Sequence, residues 1–289
     1  MSFPLLSLVH ILSLYLAMCQ SSSRGTQATI DHDTSTFINR KTPVNDSLPG
    51  VSPYTTQYNL SYIMGHFDPA SHPDFVLIDT IHADRSGLYL HKDTYSAFRM
   101  MYKAAHNDGI RLQIRSATRN FKAQKNIWEH KWTGETLIEN GQNASIAYPD
   151  PVQRATMILK YSSMPGSSRH HWGTDIDLNA FDNTWFESGN GLQLYQWLSQ
   201  NASRFGFCQP YCAKGKNRPY GYEEERWHWS YMPLSQQLSQ MAADSLKDSM
   251  IAGFMGSEVA SQLNIVERYV LGINVECEKV PFDKLRVRK

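Results

Sequence analysis

The chain has 289 residues and 41% hydrophobic content, enough for one large domain or two small ones with a real core. A formal net charge of +1 excludes a bulk field that would draw it to nucleic acid or to a membrane surface, and leaves only local patches for such roles. Fifteen tyrosines and seven tryptophans suit a domain that grips a polar, partly apolar ligand such as a sugar or a peptide, although most such rings belong in a core.

Residues 1–19 contain no Lys, Arg, Asp or Glu and run apolar from Leu5-Leu6 to Leu16-Ala17-Met18. They read as an export signal, too short for a comfortable membrane span. Two exits are open: cleavage after Ala17-Met18-Cys19, or lipidation of Cys19, because Leu16-Ala17-Met18-Cys19 approaches a lipobox. Residues 20–50, rich in Ser, Thr, Asn and Asp, read as a flexible tether. The aromatic and apolar character that marks a folded unit begins at Val51. Turns at Asp68-Pro69 and His72-Pro73 precede a short apolar run, Phe75-Val76-Leu77-Ile78. His66, His72, Asp74 and Asp79 have no ligand spacing and are assigned to the surface or to turns.

Asp93 is expected to cap a helix running to about His106, with Tyr95, Phe98, Met101, Tyr102 and Ala105 as its buried stripe. Asn107-Asp108-Gly109 ends it. Leu112, Ile114 and Ser116 alternate with polar residues and predict a strand. That strand leads through Ala117-Thr118-Arg119-Asn120-Phe121 into a helix carrying Gln124 and Trp128. Asp150-Pro151 starts another helix, and Leu192, Tyr195, Trp197 and Leu198 mark a third, ended near Gly206. Phe207-Cys208 and Trp227 to Tyr231 read as strands, 214–221 as a loop, and Leu234 to Val270 as mostly helical. No internal repeat is evident, so one α+β domain is the simplest account. Of Cys208, Cys212 and Cys277, at least one stays outside any pair. A Cys208–Cys277 disulfide and buried thiols are both open, and a metal site on Cys208 and Cys212 lacks further partners.

The chemistry concentrates in two stretches. Ser168-Arg169-His170-His171-Trp172-Gly173-Thr174-Asp175-Ile176-Asp177 offers two imidazoles and two carboxylates, and Glu225-Arg226-Trp227-His228-Trp229 adds a third imidazole and a spare carboxylate. That set suits a catalytic zinc ion with three protein ligands and one open position. If 174–178 is a strand, Asp175 and Asp177 share a face while Ile176 and Leu178 turn to the core. His170 then approaches from the preceding loop and His228 from a later strand, with Trp227 and Trp229 on its opposite face. Glu225, three residues before His228, is placed to take a proton from water and return it to a leaving amine. Arg119 is placed to stabilise an oxyanion. His171 is expected in a core or supporting role. Asp175 is left to orient a ligand or meet a substrate amine, and Glu223 and Glu224 are expected in solvent. On spacing alone, a structural role for these histidines stays open beside the metal.

These residues resemble the VanY-type D-alanyl-D-alanine carboxypeptidases, a zinc peptidase family. The pattern Ser-x-His-x-x-Gly-x-x-x-Asp is met by Ser168, His170, Gly173 and Asp177, and Glu-x-Trp-His by Glu225, Trp227 and His228. An upstream Arg turn followed by Gln is met by Ser116-Ala117-Thr118-Arg119-Asn120 and Gln124, so the likeness spans about Ile110 to Tyr231. It implies an α+β zinc peptidase fold shared with the hedgehog signalling domain, a small antiparallel sheet flanked by helices, over residues 51–233. Residues 234–289 would then form a C-terminal helical extension. It implies one zinc per chain on His170, Asp177 and His228, with Glu225 as base and Arg119, Gln124 and Ser168 on the substrate. The implied substrate is the D-Ala-ended stem peptide of peptidoglycan, met in the periplasm or cell envelope and by a membrane-anchored chain if Cys19 carries a lipid. Removal of the terminal D-Ala is the expected reaction. D-Ala-D-Ala dipeptidase or endopeptidase action is the alternative, and a zinc-holding module without turnover a further one. Asp175 departs from the pattern, where a small residue is usual, and the Arg turn lacks the usual Gly and Tyr.

Overall fold

Strand alternation in this chain serves to set polar residues against one another across a small sheet. The computed structural model describes residues 58–279; the expected export signal over 1–19 with its Cys19, and the tether over 20–50, lie outside the described residues. Phe75–Leu77 (β1) and Tyr89–His91 (β2) pair as an antiparallel hairpin. The second sheet is antiparallel with four strands in the order β3-β4-β6-β5, from Ile114–Ser116 (β3), Asp175–Leu178 (β4), Phe207–Cys208 (β5) and His228–Tyr231 (β6). The register sets Asp177 opposite His228 and Asp175 opposite Ser230. Because side chains alternate along a strand, these four residues share one face. Ile176 and Trp229, also opposite one another, turn to the other face and join the core with Leu178 and Trp227.

The helices are, in order, Leu60–Ile63 (α1), Lys92–Asn107 (α2), Phe121–Thr133 (α3), Ala144–Ala147 (α4), Pro151–Ile158 (α5), Gly189–Asn201 (α6), Met232–Ser245 (α7) and Ala260–Leu263 (α8). Phe98 and Met101 of α2 and Leu194 and Leu198 of α6 pack under the four-stranded sheet. Trp128 and Trp132 of α3 pack with Ile158 of α5 and with Ile251 and Phe254 of the later chain. Tyr62 and Ile63 of α1 meet Trp172 together with Leu234 and Leu238 of α7. The disulfide left open by the sequence is present between Cys208 and Cys277, and it ties β5 to the segment after α8; Cys212 is buried nearby in sequence.

One local expectation is corrected and a second is refined. The cap of α2 is His91, whose Nδ1 accepts from the Asp93 amide at 3.3 Å, so Asp93 sits inside the first turn and complements the helix dipole. The reading of 234–270 as mostly helical holds, with a π-helical turn at Val266–Val270 closing it, but the first helix ends at Ser245. Beyond it the chain breaks into short turns at Asp248–Met250 and Ser257–Val259 before α8. Gly253 and Gly256 explain the break, with φ of 89° and 79°, values an L side chain rarely adopts. A Cβ on Gly256 would fall 2.4 Å from the Trp132 ring, so the backbone closes directly on that indole.

Candidate metal centre

The turn after β3 holds both histidines of the 168–177 stretch by its backbone. The Ala117 carbonyl lies 2.8 Å from His170 Nδ1, the Arg119 carbonyl 2.6 Å from His171 Nδ1, and the Arg119 amide donates to the His170 carbonyl at 3.2 Å. With Nδ1 of His170 occupied by a carbonyl acceptor, its Nε2 is the free nitrogen, and it lies 3.3 Å from Asp177 Oδ2. His171 has no such nitrogen to offer. Its Nε2 accepts from the Gly166 amide at 3.0 Å, and burial pushes its pKa down to about 3, so it is a neutral strut between two loops. Gly173 closes the turn between His170 and β4 at φ 72°, and a Cβ there would meet the Phe75 ring at 2.5 Å. That is a physical reason for the glycine of the motif.

His228 faces the other way. Its Nδ1 lies 3.1 Å from both Asp177 Oδ1 and Glu225 Oε2, and its Nε2 lies 2.8 Å from Asp175 Oδ2. Asp175 is fully buried, so it meets no substrate amine. It accepts from the hydroxyls of Thr174 and Ser230 and pairs with the buried guanidinium of Arg169 at 3.3 Å. The sequence reading that it orients a ligand is the one its position fits, since a carboxylate behind a ring nitrogen fixes the tautomer and the plane of the imidazole. Arg169 also donates to Ser239 and Ser230 and stacks over Trp172, with 4.6 Å to the ring centroid.

The charges balance poorly without a cation. Burial alone would lower the pKa of His228, but Asp175, Asp177 and Glu225 outweigh it and raise it well above the usual imidazole range. Burial raises the Glu225 carboxyl, a shift that contact with His228 only partly offsets. Asp177 goes the other way: burial would raise it, and His170 and His228 hold it well below the carboxylate range. Asp177 Oδ1 is buried and accepts no hydrogen bond, although it lies within ion-pair distance of His228. An orphaned carboxylate oxygen in the interior is costly unless something positive completes it. One ligand atom each from His170, Asp177 and His228 lies within 4.8 Å of the others. Two imidazole nitrogens and one carboxylate oxygen at that spacing fit a divalent ion such as zinc.

This group forms one wall of a cavity of about 850 Å³. Arg119 and Gln124 line it as expected. Arg119 donates from Nε to Gln124 Oε1 at 2.8 Å and from Nη1 to Ser116 Oγ at 2.5 Å, and Nη1 lies 3.6 Å from Asp177. Gln124 is braced by the Ser163 carbonyl at 2.8 Å. Ser168 does not reach the cavity. It is fully buried with no hydrogen-bond partner for its hydroxyl, and Ser162 and Ser163 stand in the wall instead. Glu223 and Glu224 stay outside, paired with Lys214 and Arg226. The sequence reading missed Lys131, Tyr161, Tyr211 and Phe181. Lys131 was within reach, because it lies two helical turns after Gln124 and so on the same face of α3. Tyr211, whose ring centroid is 4.6 Å from that of His228, carries no local signal.

The VanY family profile, described as D-alanyl-D-alanine carboxypeptidase, matches residues 87–234. The chain belongs to this family. A D-alanyl-D-alanine carboxypeptidase of Enterococcus faecalis is 27% identical over 134 residues, covering 46% of this chain and 45% of that protein. An uncharacterized protein of Haemophilus influenzae is 35% identical over 88 residues, covering 26% of this chain and 64% of that protein. The chain thus spans less than two thirds of the length of either relative. A solved structure of VanYB in complex with D-alanine-D-alanine is 22% identical, covers 61% of this chain and 92% of that one, and has a TM-score of 0.43.

Proposed function

We propose that this chain is an exported zinc-dependent D-alanyl-D-alanine carboxypeptidase that removes the terminal D-Ala from peptidoglycan stem peptides. Its catalytic unit is assigned to residues 51–233, with 234–289 as an extension, and its action to the periplasm or cell envelope. The observation that carries the reading is the convergence of His170, Asp177 and His228 with a raised-pKa glutamate, Glu225, 3.1 Å from His228. Membership of the VanY family supports the substrate class. His170 Nε2, His228 Nδ1 and an Asp177 oxygen would hold the ion. The chemistry a zinc ion supplies there is Lewis acidity, which acidifies water and polarises an amide carbonyl. Glu225 accepts the proton of the attacking water and later delivers it to the departing amine, and burial suits it to both tasks by raising its basicity. Arg119, braced by Gln124 and Ser116, presents its guanidinium where the carbonyl oxygen gains charge.

The test is to incubate the zinc-loaded protein with stem pentapeptide and weigh the products. Loss of one alanine is the expected result, whereas release of D-Ala-D-Ala or an internal cut would replace the carboxypeptidase by one of its alternatives. Asp175 gives an independent check on the ligand set. Asp175→Ala removes the acceptor behind His228 and strands the Arg169 charge. Zinc affinity is expected to fall about 10–100-fold. The unfolding free energy is expected to drop by about 3–5 kcal/mol. Chelator competition and denaturant midpoints read the two effects separately.

A further inference from the structure

Of the cations lining the cavity, Arg85 has Asp84 at 3.1 Å and Arg119 has Asp177 at 3.6 Å. Lys131 differs. Among the described residues its ammonium makes no ion pair, and its hydrogen bond is to a hydroxyl, Ser162 Oγ at 2.5 Å. Two partly buried lysines nearby do make ion pairs, Lys125 on the same helix with Glu129 and Lys160 with Glu139. Lys131 is also held where its charge is disfavoured, because burial and then Arg119 lower its pKa. An ammonium left in that state gains from any anion that enters the cavity. Its place on α3 is fixed. Gln124, Ile127 and Lys131 follow one helical face into the cavity, while Trp128 and Trp132 anchor the neighbouring face in the core.

We propose that Lys131, with the Ser162 hydroxyl beside it, is the anchor for the free carboxylate at the end of the substrate peptide, and that it makes the cavity select chain ends over internal bonds. The inference rests on the hydrolase reading above and deepens it by naming the residue that sets exo-specificity. Ser168, the serine that the resemblance assigns to the substrate, is sealed in the interior and offers the cavity no donor. Lys131 and Ser162 offer an ammonium and a hydroxyl side by side, both fit to donate to one carboxylate.

The test uses two synthetic peptides, N-acetylated Lys-D-Ala-D-Ala and its C-terminal carboxamide, with the zinc-loaded full chain. Dissociation constants come from calorimetry, and kcat and KM from product masses. In the wild type the carboxamide is expected to bind about 10–100-fold more weakly, the range of a lost hydrogen bond to a charged group. Lys131→Met is expected to weaken the free acid by a similar factor, mainly through KM, and to abolish discrimination between the peptides. Lys131→Arg is expected to restore it, and Ser162→Ala to reduce it. Zinc content and unfolding midpoint establish that Lys131→Met is folded; if it is not, the acid-to-amide ratio of Ser162→Ala decides in its place. A Lys131→Met protein that still prefers the acid as strongly as wild type overturns the anchor, as does a wild type that binds neither peptide. Binding that depends on Lys131 and the carboxylate without cleavage upholds the anchor and overturns the hydrolase reading. Cleavage of both peptides with equal affinity does the reverse.

Discussion

Replacing Glu225 by Gln is expected to lower turnover of a D-Ala-ended peptide by about 10²–10⁴-fold, the range a positioned general base contributes. The same variant should retain its zinc. Gln is the same shape, and the backbone of residue 225 is pinned independently of its side chain. Its amide donates to the Tyr211 carbonyl at 2.9 Å, and its carbonyl accepts from Gln209 Nε2 at 3.1 Å. The three candidate ligands do not include Glu225, so metal content and catalysis should separate cleanly. The separation is informative because a purely structural zinc site has no use for a buried carboxylate beside it. Elemental analysis and product masses on one preparation check both halves. Wild-type turnover in the variant would move the proton transfer to another group, and loss of zinc would make Glu225 a ligand.

The contrast between His170 and His171 shows what a sequence can and cannot decide. Both sit in one turn, and nothing in their spacing separates them. What separates them is where their second nitrogens point: His170 leaves Nε2 toward Asp177, and His171 spends both nitrogens on backbone groups of Arg119 and Gly166. The strand calculus for Asp175, Asp177 and His228 was legible, because alternation over four residues fixes faces and the register then sets Asp177 against His228. Ser168 was not legible in the same way. Its identity matches a motif, but its burial depends on packing that no local pattern encodes. The break within the largely helical 234–270 stretch has a similar origin. Apolar residues recur at helical spacing there, but Gly253 and Gly256 take left-handed backbone to bring the chain onto Trp132, a contact 124 positions away in sequence. Tyr211 reaches His228 only because the chain between β5 and β6 folds back over the site.

Stripping the metal is expected to abolish turnover and to loosen the fold together, because the same three side chains serve both. Without a cation, Asp175, Asp177 and Glu225 crowd one imidazole, and Asp177 Oδ1 has only that crowded ring beside it. An ion that binds only the folded chain stabilises it by about 4 kcal/mol when present at 1,000 times its dissociation constant. For a domain of this size that corresponds to a loss of roughly 8–16 °C in Tm on chelation. Adding back zinc should restore activity and Tm in parallel, at one equivalent per chain. Asp177→Ala should start from the stripped state and respond to neither chelator nor zinc, since the carboxylate that faces both imidazoles is gone. Reversal of the order, with activity surviving chelation while Tm falls, would assign the ion to structure alone. It would leave Glu225 and Arg119 to act on the amide without it, a task for which two side chains 3.1 Å from His228 and 3.6 Å from Asp177 offer no electrophile of comparable strength.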